Sequence, residues 1–524
     1  YLDTPAEDDN AFPNNSRRSS PANNNILDLS RTRHFFPGSS SAELLPSPLW
    51  YAAKWGGFVD SKEGALANGL PDAEEWDKIE SGQPDDYFPV TNAGELKSQI
   101  GKAFDSTQTD DQSSAAPVFS NTFLSSNTHS YRTNFVGGPW NGDVLAFVRS
   151  TSSQTGFSDT PSWSAAARVD AMTPSARHIY TRNNSSDRFV DFVAPNSLDG
   201  ADDGLSSAQI SALLAGQAGS DDVKLAYLSA VINYLRGERS YEAPDLDYRM
   251  RERESTHGDV INSTPYYVAL ATGHDVTKPV LVYGANDGMV HIIDAGNGNE
   301  IMAYVPSQIF SGLTSLSKTT YNHQYFVDGG INAYSDTNGT TTVVGTLGTG
   351  YTGLYAIDVS DMSSANKNKL KWEIDTNTTG FSGLGYTREQ PTIAKLANGR
   401  VGVIFSNGYN AADGEGQLFI ADLADGSLIR SLKTGVARAD DPTGQNRANA
   451  LASPAVVDIN SDGIADRIYA GDLFGNMWVF DVSSSSSTAW GLATDDNKPL
   501  FTARSPTKDD SNHYIAQPIT TRPA

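Results

Sequence analysis

The chain has 524 residues, too many for one small hydrophobic core, so we expect two or three domains or one large repeat architecture. Its 62 acidic and 38 basic side chains give a net charge of −24, which argues against nucleic-acid binding and suits a secreted or surface protein. The absence of cysteine excludes disulfides, thiolate metal sites and cysteine nucleophiles, and no apolar run approaches the roughly 20 residues of a membrane span.

The two ends of the chain lack the signals of natural termini. The opening YLDTPAEDDN has neither the basic nor the apolar region of a signal peptide, and the closing YIAQPITTRPA resembles the start of a strand. We therefore expect a piece of a longer, exported bacterial protein.

The N-terminal part combines irregular chain with one strand–helix unit. Residues 1–46 are rich in Asn, Ser, Pro and Asp and show no periodicity. The segment 92–104 predicts a helix, because Leu96, Ile100 and Phe104 fall on one face, and the preceding YFPV predicts a buried strand.

The middle of the chain predicts strands followed by helices. Residues 116–150 contain three apolar stretches divided by turn residues, which is typical of strands. A helical interlude is expected at 206–236, with an apolar stripe of Leu225, Leu228, Ile232 and Leu235, and with Gly237 at its end. The following YRMRERES alternates basic and acidic residues, and we expect a solvated connector there.

The second half of the chain repeats one plan: strand, small or acidic turn, strand, terminal aspartate, second turn, strand. The strand-ending aspartates are Asp294, Asp358, Asp422 and Asp481, spaced by 64, 64 and 59 residues. A period of this order with glycine-rich turns is typical of a β-propeller, whose blades bury their apolar faces against one another. We predict a mainly β fold, a propeller of about six to seven irregular blades with a helical insertion at about 195–250. A β-sandwich would not repeat one turn plan four times.

A nine-residue acidic loop, DINSDGIAD at 458–466, is set between two strand-like stretches. It supplies oxygen at its positions 1, 3, 5, 7 and 9, from the side chains of Asp458, Asn460, Asp462 and Asp466 and the carbonyl of Ile464. Gly463 occupies position 6, where such a loop turns sharply. All-oxygen ligation suits Ca²⁺ better than Mg²⁺, so we predict a calcium site with these five residues as ligands. Position 12 is Tyr469, not the glutamate of an EF-hand, and no helix flanks the loop; the alternative is a polar turn without metal.

Other motifs are weaker. The stretch DVSSS at 481–485 matches a von Willebrand A metal motif, but Asp481 occupies the repeat position of the other strand-ending aspartates, which favours a structural role. NDG at 286–288 predicts a hairpin turn. The stretch 407–416 could hold a second cation or be a long acidic turn. His257 and His291 are interpreted as packing or hydrogen-bonding residues, and we find no catalytic constellation.

Several motifs in order resemble the PilC/PilY-type type IV pilus tip-associated adhesins, from about residue 40 to the end. They include STHGDVINSTPYYV (255–268), VYGANDGMVHIIDAGNGNEIMAYVPSQIF (282–310), DINSDGIADRIYAGDLFGNMWVFD (458–481) and QPITTRP (517–523).

This resemblance implies residues 1–110 as the tail of a von Willebrand A-like domain and 111–524 as the propeller. It also implies a non-enzymatic protein at the pilus tip or outer-membrane surface of a bacterium. Its partners would be minor pilins and a host-cell or abiotic surface receptor. Calcium bound by the 458–466 ligands would regulate pilus retraction. Two features depart from the family pattern: most of the von Willebrand A-like domain is missing, and there is no Arg-Gly-Asp tripeptide.

Two alternatives remain open. AIDVSD and IIDAGNGNEIMAY resemble turns of quinoprotein dehydrogenases, although no Glu, Asn and Asp set for a quinone-bound metal is visible. An FG-GAP-type adhesion propeller has similar acidic loops, but it predicts several copies where this chain has one clear copy.

Overall fold

The computed structural model describes residues 47–56, 76, 84, 87, 117–119, 128–150, 153, 156–201, 203–242, 248–269, 278–508 and 514–523. The chain divides into two compact units, Tyr1–Ala103 and Phe104–Ala524. The expectations for residues 1–46, the YFPV strand and the 92–104 helix lie outside the described residues, and the assignment of 1–110 to a von Willebrand A-like domain stays a prediction.

The described part of the first unit contains one helix, α1 (Pro48–Gly56). The ring of Trp50 on this helix packs edge-on against Trp76, with ring centroids 5.3 Å apart.

The second unit is built mainly of strands, as predicted. Its helices are α2 (Ala165–Asp170), α3 (Ser207–Leu213), α4 (Asp221–Leu235) and α5 (Phe310–Leu313). Its strands are β1 (Val118–Phe119), β2 (His129–Val136), β3 (Asn141–Val148), β4 (Trp163–Ser164), β5 (Ile179–Asn183), β6 (Arg188–Asp191), β7 (Tyr266–Val268), β8 (Val280–Gly284), β9 (Val290–Asp294), β10 (Glu300–Val305), β11 (Ile331–Ser335), β12 (Thr341–Thr346), β13 (Leu354–Asp358), β14 (Leu370–Ile374), β15 (Thr392–Lys395), β16 (Val401–Ser406), β17 (Gln417–Asp422), β18 (Leu428–Lys433), β19 (Ala455–Val457), β20 (Arg467–Gly471), β21 (Asn476–Asp481), β22 (Gly491–Leu492), β23 (Phe501–Thr502), β24 (Arg504–Lys508) and β25 (Tyr514–Ala516).

These strands form successive antiparallel meanders. The sheet orders are β1-β2-β3-β4, β6-β5-β10-β9-β8-β7, β11-β12-β13-β14, β15-β16-β17-β18 and β19-β20-β21-β22, with β23 also paired to β21 and a separate β24-β25 pair. The pairing of β5 with β10 is parallel, whereas the meander strands pair antiparallel. The first strands of the sheets, β1, β7, β11, β15 and β19, contact one another in succession, as the innermost strands of propeller blades do.

Successive side chains along a strand pack into two different hydrophobic cores. On β12, Val343 packs in the core shared with the β5–β10 sheet, while the next residue, Val344, packs in the core shared with β15–β18. Val403 and Ile404 on β16 divide in the same way between their two neighbouring sheets. Because strand side chains point alternately to opposite faces, each sheet is buried on both faces by its neighbours. This is blade-on-blade packing, and the mainly β propeller class is confirmed; the count of six to seven blades stays a prediction.

The four strand-ending aspartates occupy one place in this plan. Each is the last residue of the third strand of its meander, namely β9, β13, β17 or β21. In each case one side-chain oxygen accepts the backbone N–H two residues later, at 2.9 Å. The repeat therefore marks an Asx turn that starts the last hairpin of each blade.

The helical interlude is confirmed as α3 and α4. Leu228, Ile232 and Leu235 are buried against the β5–β10 sheet, whereas Leu225 is only partly buried. Gly237 follows the end of α4 with φ +112°, a conformation that favours glycine. Among the described residues, no helix combines the length and apolar character needed to cross a membrane.

The expectation of a solvated YRMRERES connector is wrong in part. Arg253 is buried, its Nε lies 2.8 Å from Glu242 Oε1, and its guanidinium sits 3.6 Å above the Tyr234 ring. Met250 is buried as well. The alternation of charges in the sequence could not reveal these contacts, because Glu242 and Tyr234 lie on earlier elements that the fold brings next to the connector.

Candidate metal centre

The loop 458–466 connects β19 to β20. The two strands pair antiparallel up to Val457 opposite Arg467, and Asp466 N donates to Val457 O at 3.0 Å. On the loop's other side, Ala465 N donates to Lys395 O of the preceding sheet at 2.9 Å. The buried side chain of Ala465 packs in the same core as Leu396. The loop is thus tied to two neighbouring blades.

The loop's own backbone holds the four predicted side-chain ligands. Asp458 accepts N–H groups from Ser461 and Gly463, each at 2.7 Å, on different carboxylate oxygens.

The other three ligands accept similar bonds. Asn460 Oδ1 accepts from Asp462 N at 2.9 Å, Asp462 Oδ1 from Ile464 N at 2.8 Å, and Asp466 Oδ2 from Ile459 N at 2.9 Å. A carboxylate offers about four lone-pair sites, so each of these groups keeps acceptor capacity.

The sharp turn of the loop is made by two residues with positive φ. Gly463 has φ +83° and Ser461 has φ +63°. Nothing lies within 4 Å of the place a Cβ would take on Gly463, so the conformation, rather than crowding, favours glycine there.

The charge on this loop is not balanced by the fold. Among the described residues, Asp458, Asp462 and Asp466 have no ion-pair partner; Arg467 instead pairs with Asp481 at 2.7 Å. The donor set of carboxylates, amide and carbonyl fits a hard divalent cation.

The carboxylates are not gathered around one point, however. Among the described residues, no group of three or more His, Asp or Glu side chains is placed to hold a metal ion. The five-ligand calcium site therefore stays a prediction, in which Asn460 and the Ile464 carbonyl would complete the set.

The competing acidic stretches have partners in the protein. Lys433 Nζ lies 3.0 Å from Asp413 and 2.7 Å from Glu415, so both acids of 407–416 share a cationic partner within the protein, which favours a long turn over a second cation site. Asp481 makes the Asx turn described above, as favoured from the repeat. NDG at 286–288 lies in the β8–β9 hairpin turn, with Gly288 at φ +89°.

A buried charge network within the β5–β10 sheet and the segment before it was not foreseen. Arg177 binds Glu300 through two hydrogen bonds of 2.8 Å, and Glu300 Oε2 also lies 2.8 Å from His291 Nδ1. His291 Nε2 is 3.1 Å from Asp287 Oδ2. We call Arg177, Asp287, His291 and Glu300 the buried network. His291 and His257 are indeed hydrogen-bonding residues, as interpreted from the sequence.

The network shifts the pKa of its members. Burial opposes the charged form of His291, but the Asp287 and Glu300 carboxylates outweigh burial and raise its pKa to about 9. Burial likewise opposes ionisation of Asp287, yet His291 lowers its pKa to about 2. The pKa of Glu300 is also lowered, since Arg177 and His291 outweigh its burial. Of the four network residues, only Asp287 and His291 lie close together in the chain, four residues apart. Only this pair could therefore have been recognised from the sequence.

The stacked meanders and the acidic hairpin loop define this protein as a β-propeller with a candidate cation-binding loop between two blades. The chain belongs to the PilY1 β-propeller family, because the family model described as PilY1 beta-propeller domain matches residues 256–519. This confirms the resemblance to PilY-type proteins.

Curated relatives carry the same family name. The chain is 32% identical to a "Type IV pilus biogenesis factor PilY1 homolog" of Xylella fastidiosa, over 93% of this chain and 35% of the relative. It is 30% identical to "Type IV pilus biogenesis factor PilY1" of Pseudomonas aeruginosa, over 85% of this chain and 40% of the relative. The chain thus spans between a third and two-fifths of the length of these relatives.

A solved structure is similar as well. The crystal structure of the Pseudomonas aeruginosa PilY1 C-terminal domain shares 32% identity with this chain, covers 47% of it and 49% of the solved chain, and has a TM-score of 0.38.

Proposed function

We propose that this chain is the propeller part of a type IV pilus biogenesis protein that acts without enzymatic chemistry. The relatives are named as pilus biogenesis factors, and this supports a role in assembling or extending pili. We place the protein outside the cell, at the pilus tip or the outer-membrane surface, with minor pilins and a host-cell or abiotic surface as its partners.

We further propose that the 458–466 loop binds Ca²⁺ and that calcium regulates pilus retraction and adhesion. Asp458, Asn460, Asp462, Asp466 and the Ile464 carbonyl would hold the ion. The single observation that carries this proposal is the unbalanced charge of three aspartates on one hairpin loop. When bound, Ca²⁺ supplies two positive charges there.

The contacts of the loop suggest how calcium binding would change the surface that a partner meets. Repulsion between carboxylates loosens the hairpin when no cation is present, and neutralisation lets the backbone bonds to Asp458 and Asp466 persist. Because Ala465 bonds to Lys395, tightening the loop also fixes the contact between two blades. Ile459 stands 62% exposed on this loop, so the ordered loop offers an apolar contact to a partner.

The test removes one charge while keeping the local hydrogen bond. In Asp462→Asn the remaining side-chain oxygen still accepts from Ile464 N, so the loop keeps its fold and loses only charge. Calorimetry with CaCl₂ should show binding by the wild type and about tenfold or greater weakening in the variant.

A matched control comes from the neighbouring blade. Asp425 also precedes a glycine and accepts the backbone N–H two residues later, at 2.9 Å, but it is not in the loop. Asp425→Asn should bind calcium as the wild type does. Equal calcium affinity in Asp462→Asn and the wild type would reject the site, and calcium-dependent retraction in cells carrying Asp462→Asn would reject its regulatory role.

A further inference from the structure

An open cleft with a volume of about 800 Å³ lies beside α3, within the size range of small-molecule sites. Its walls come from β5 and the turn after it, from α3, from residues 307–311, from Thr352 and from residues 375–379 after β14. None of these residues belongs to the 458–466 loop, so the cleft is a separate feature of the propeller.

Among the described residues, the cleft offers no unpaired positive charge to a ligand. Its charged lining residues are Arg182 and Asp375. Arg182 is paired with Asp187 and lies 3.6 Å from the buried Glu373. Asp375 Oδ1 accepts the backbone N–H groups of Asn377 at 2.8 Å and Thr378 at 2.9 Å. Asp375 has no cationic partner among the described residues, so its carboxylate disfavours an anion, and a neutral ligand is favoured over an anionic one.

The cleft does offer free hydrogen-bonding groups. The Oε1 atom of Gln308 is buried and has no hydrogen-bond partner among the described residues, and its Nε2 makes only a 3.4 Å contact with Ile374 O. Thr352, Thr376 and Thr379 line the same space, and none of the hydrogen bonds within the described residues uses their hydroxyls. A buried acceptor without a partner is unfavourable, so turning the Gln308 amide toward the cleft, where a ligand could donate to it, would gain that contact.

The chemistry of these groups points to a polyhydroxyl ligand. Amides and hydroxyls both donate and accept, which matches the hydroxyl groups of a sugar ring. Most lining side chains are hydroxyls and amides, and Phe310, the aromatic one, is only 3% exposed, so an apolar ligand or a peptide's apolar side chains would find little to contact.

We propose that this cleft binds a neutral oligosaccharide through Gln308, Thr352, Thr376 and Thr379. The proposal names a ligand class for the adhesive part of the proposed function and rests on that part; it does not require the calcium loop.

One test variant fills the cleft without removing a hydrogen bond, and a second replaces the Gln308 amide. Ala208 is an exposed residue of α3 that lines the cleft, and Ser211 is an exposed residue of the same helix that does not. The full chain, labelled with a fluorophore, is applied to an array of neutral and anionic oligosaccharides, and the best neutral ligand is then titrated by calorimetry. Ala208→Trp and Gln308→Leu should each weaken binding by about tenfold or more, while Ser211→Trp should bind as the wild type does.

Each other outcome overturns the proposal. The proposal is wrong if the chain binds no neutral saccharide, or if it binds only sialylated or sulfated sugars. It is also wrong if Ala208→Trp and the wild type bind the saccharide with equal affinity. Repeating the titration with EDTA separates the two proposals: saccharide binding should persist without calcium, and Asp462→Asn should leave it unchanged. Failure of the calcium site would then leave the saccharide site standing, and failure of saccharide binding would leave calcium binding intact.

Discussion

The buried network and the 458–466 loop place charged groups in opposite situations. In the network, two cations and two carboxylates are hydrogen-bonded together with little exposure to solvent, so the fold itself balances the charge. On the loop, three carboxylates on one exposed hairpin have no cationic partner among the described residues. The first arrangement is complete within the fold, whereas the second leaves three carboxylates able to accept a cation from outside the chain.

The largest expected effect comes from breaking the network. Glu300→Gln keeps the side chain's shape but leaves Arg177 and His291 buried without their shared carboxylate. The free energy of unfolding should fall by about 3–5 kcal/mol, as for other buried pairs that lose one partner. Urea denaturation measures it, and Glu252→Gln, at an exposed glutamate, is the control; a loss no larger than the control's would mean that the network is not structural.

The network should also make stability depend on pH. The pKa of His291 is raised from 6.5 to about 9, so its stabilisation is fully present below pH 6.5 and disappears as pH rises through 9. The loss should be on the order of 3 kcal/mol. Urea midpoints between pH 6 and pH 9.5 test this, and His291→Gln should flatten the decline; an equal decline in that variant would assign it to other groups.

Two glycines with positive φ allow the packing around the buried network to be compared with the packing around the 458–466 loop. A Cβ on Gly288, in the turn beside the network, would lie 2.8 Å from Leu313 Cδ2, whereas Gly463 in the loop has open space. Alanine costs conformational energy at both positions, but only Gly288→Ala also overpacks the core. We expect Gly288→Ala to lose about 2 kcal/mol more than Gly463→Ala in urea denaturation; equal losses would contradict this difference.

The smallest effect concerns the loop and calcium. At a calcium concentration of about ten times Kd, binding should stabilise the wild type by about 1.4 kcal/mol. Thermal unfolding in CaCl₂ and in EDTA measures the shift, which Asp462→Asn should lose and Asp425→Asn should keep. A shift of equal size in both variants would place the stabilising ion elsewhere.

Short-range patterns in the sequence predicted much of this fold. The spaced aspartates Asp294, Asp358, Asp422 and Asp481 marked one position in four meanders, because an Asx turn depends only on neighbouring residues. The apolar stripe of α4 and the glycine after it located a helix for the same reason. Loop 458–466 was visible because its candidate ligands lie within nine residues.

Contacts between distant residues were decided only by the tertiary structure. Arg177 and Glu300 are 123 residues apart in the chain, and Arg253 looked solvated until the fold placed Glu242 and Tyr234 beside it. The polar cleft collects side chains from five separate segments, each unremarkable alone. Turns and helix ends depend on adjacent residues, so the sequence alone determined them. The burial and pairing of a charged side chain depend on which blades the fold brings together, so only the tertiary structure decided them.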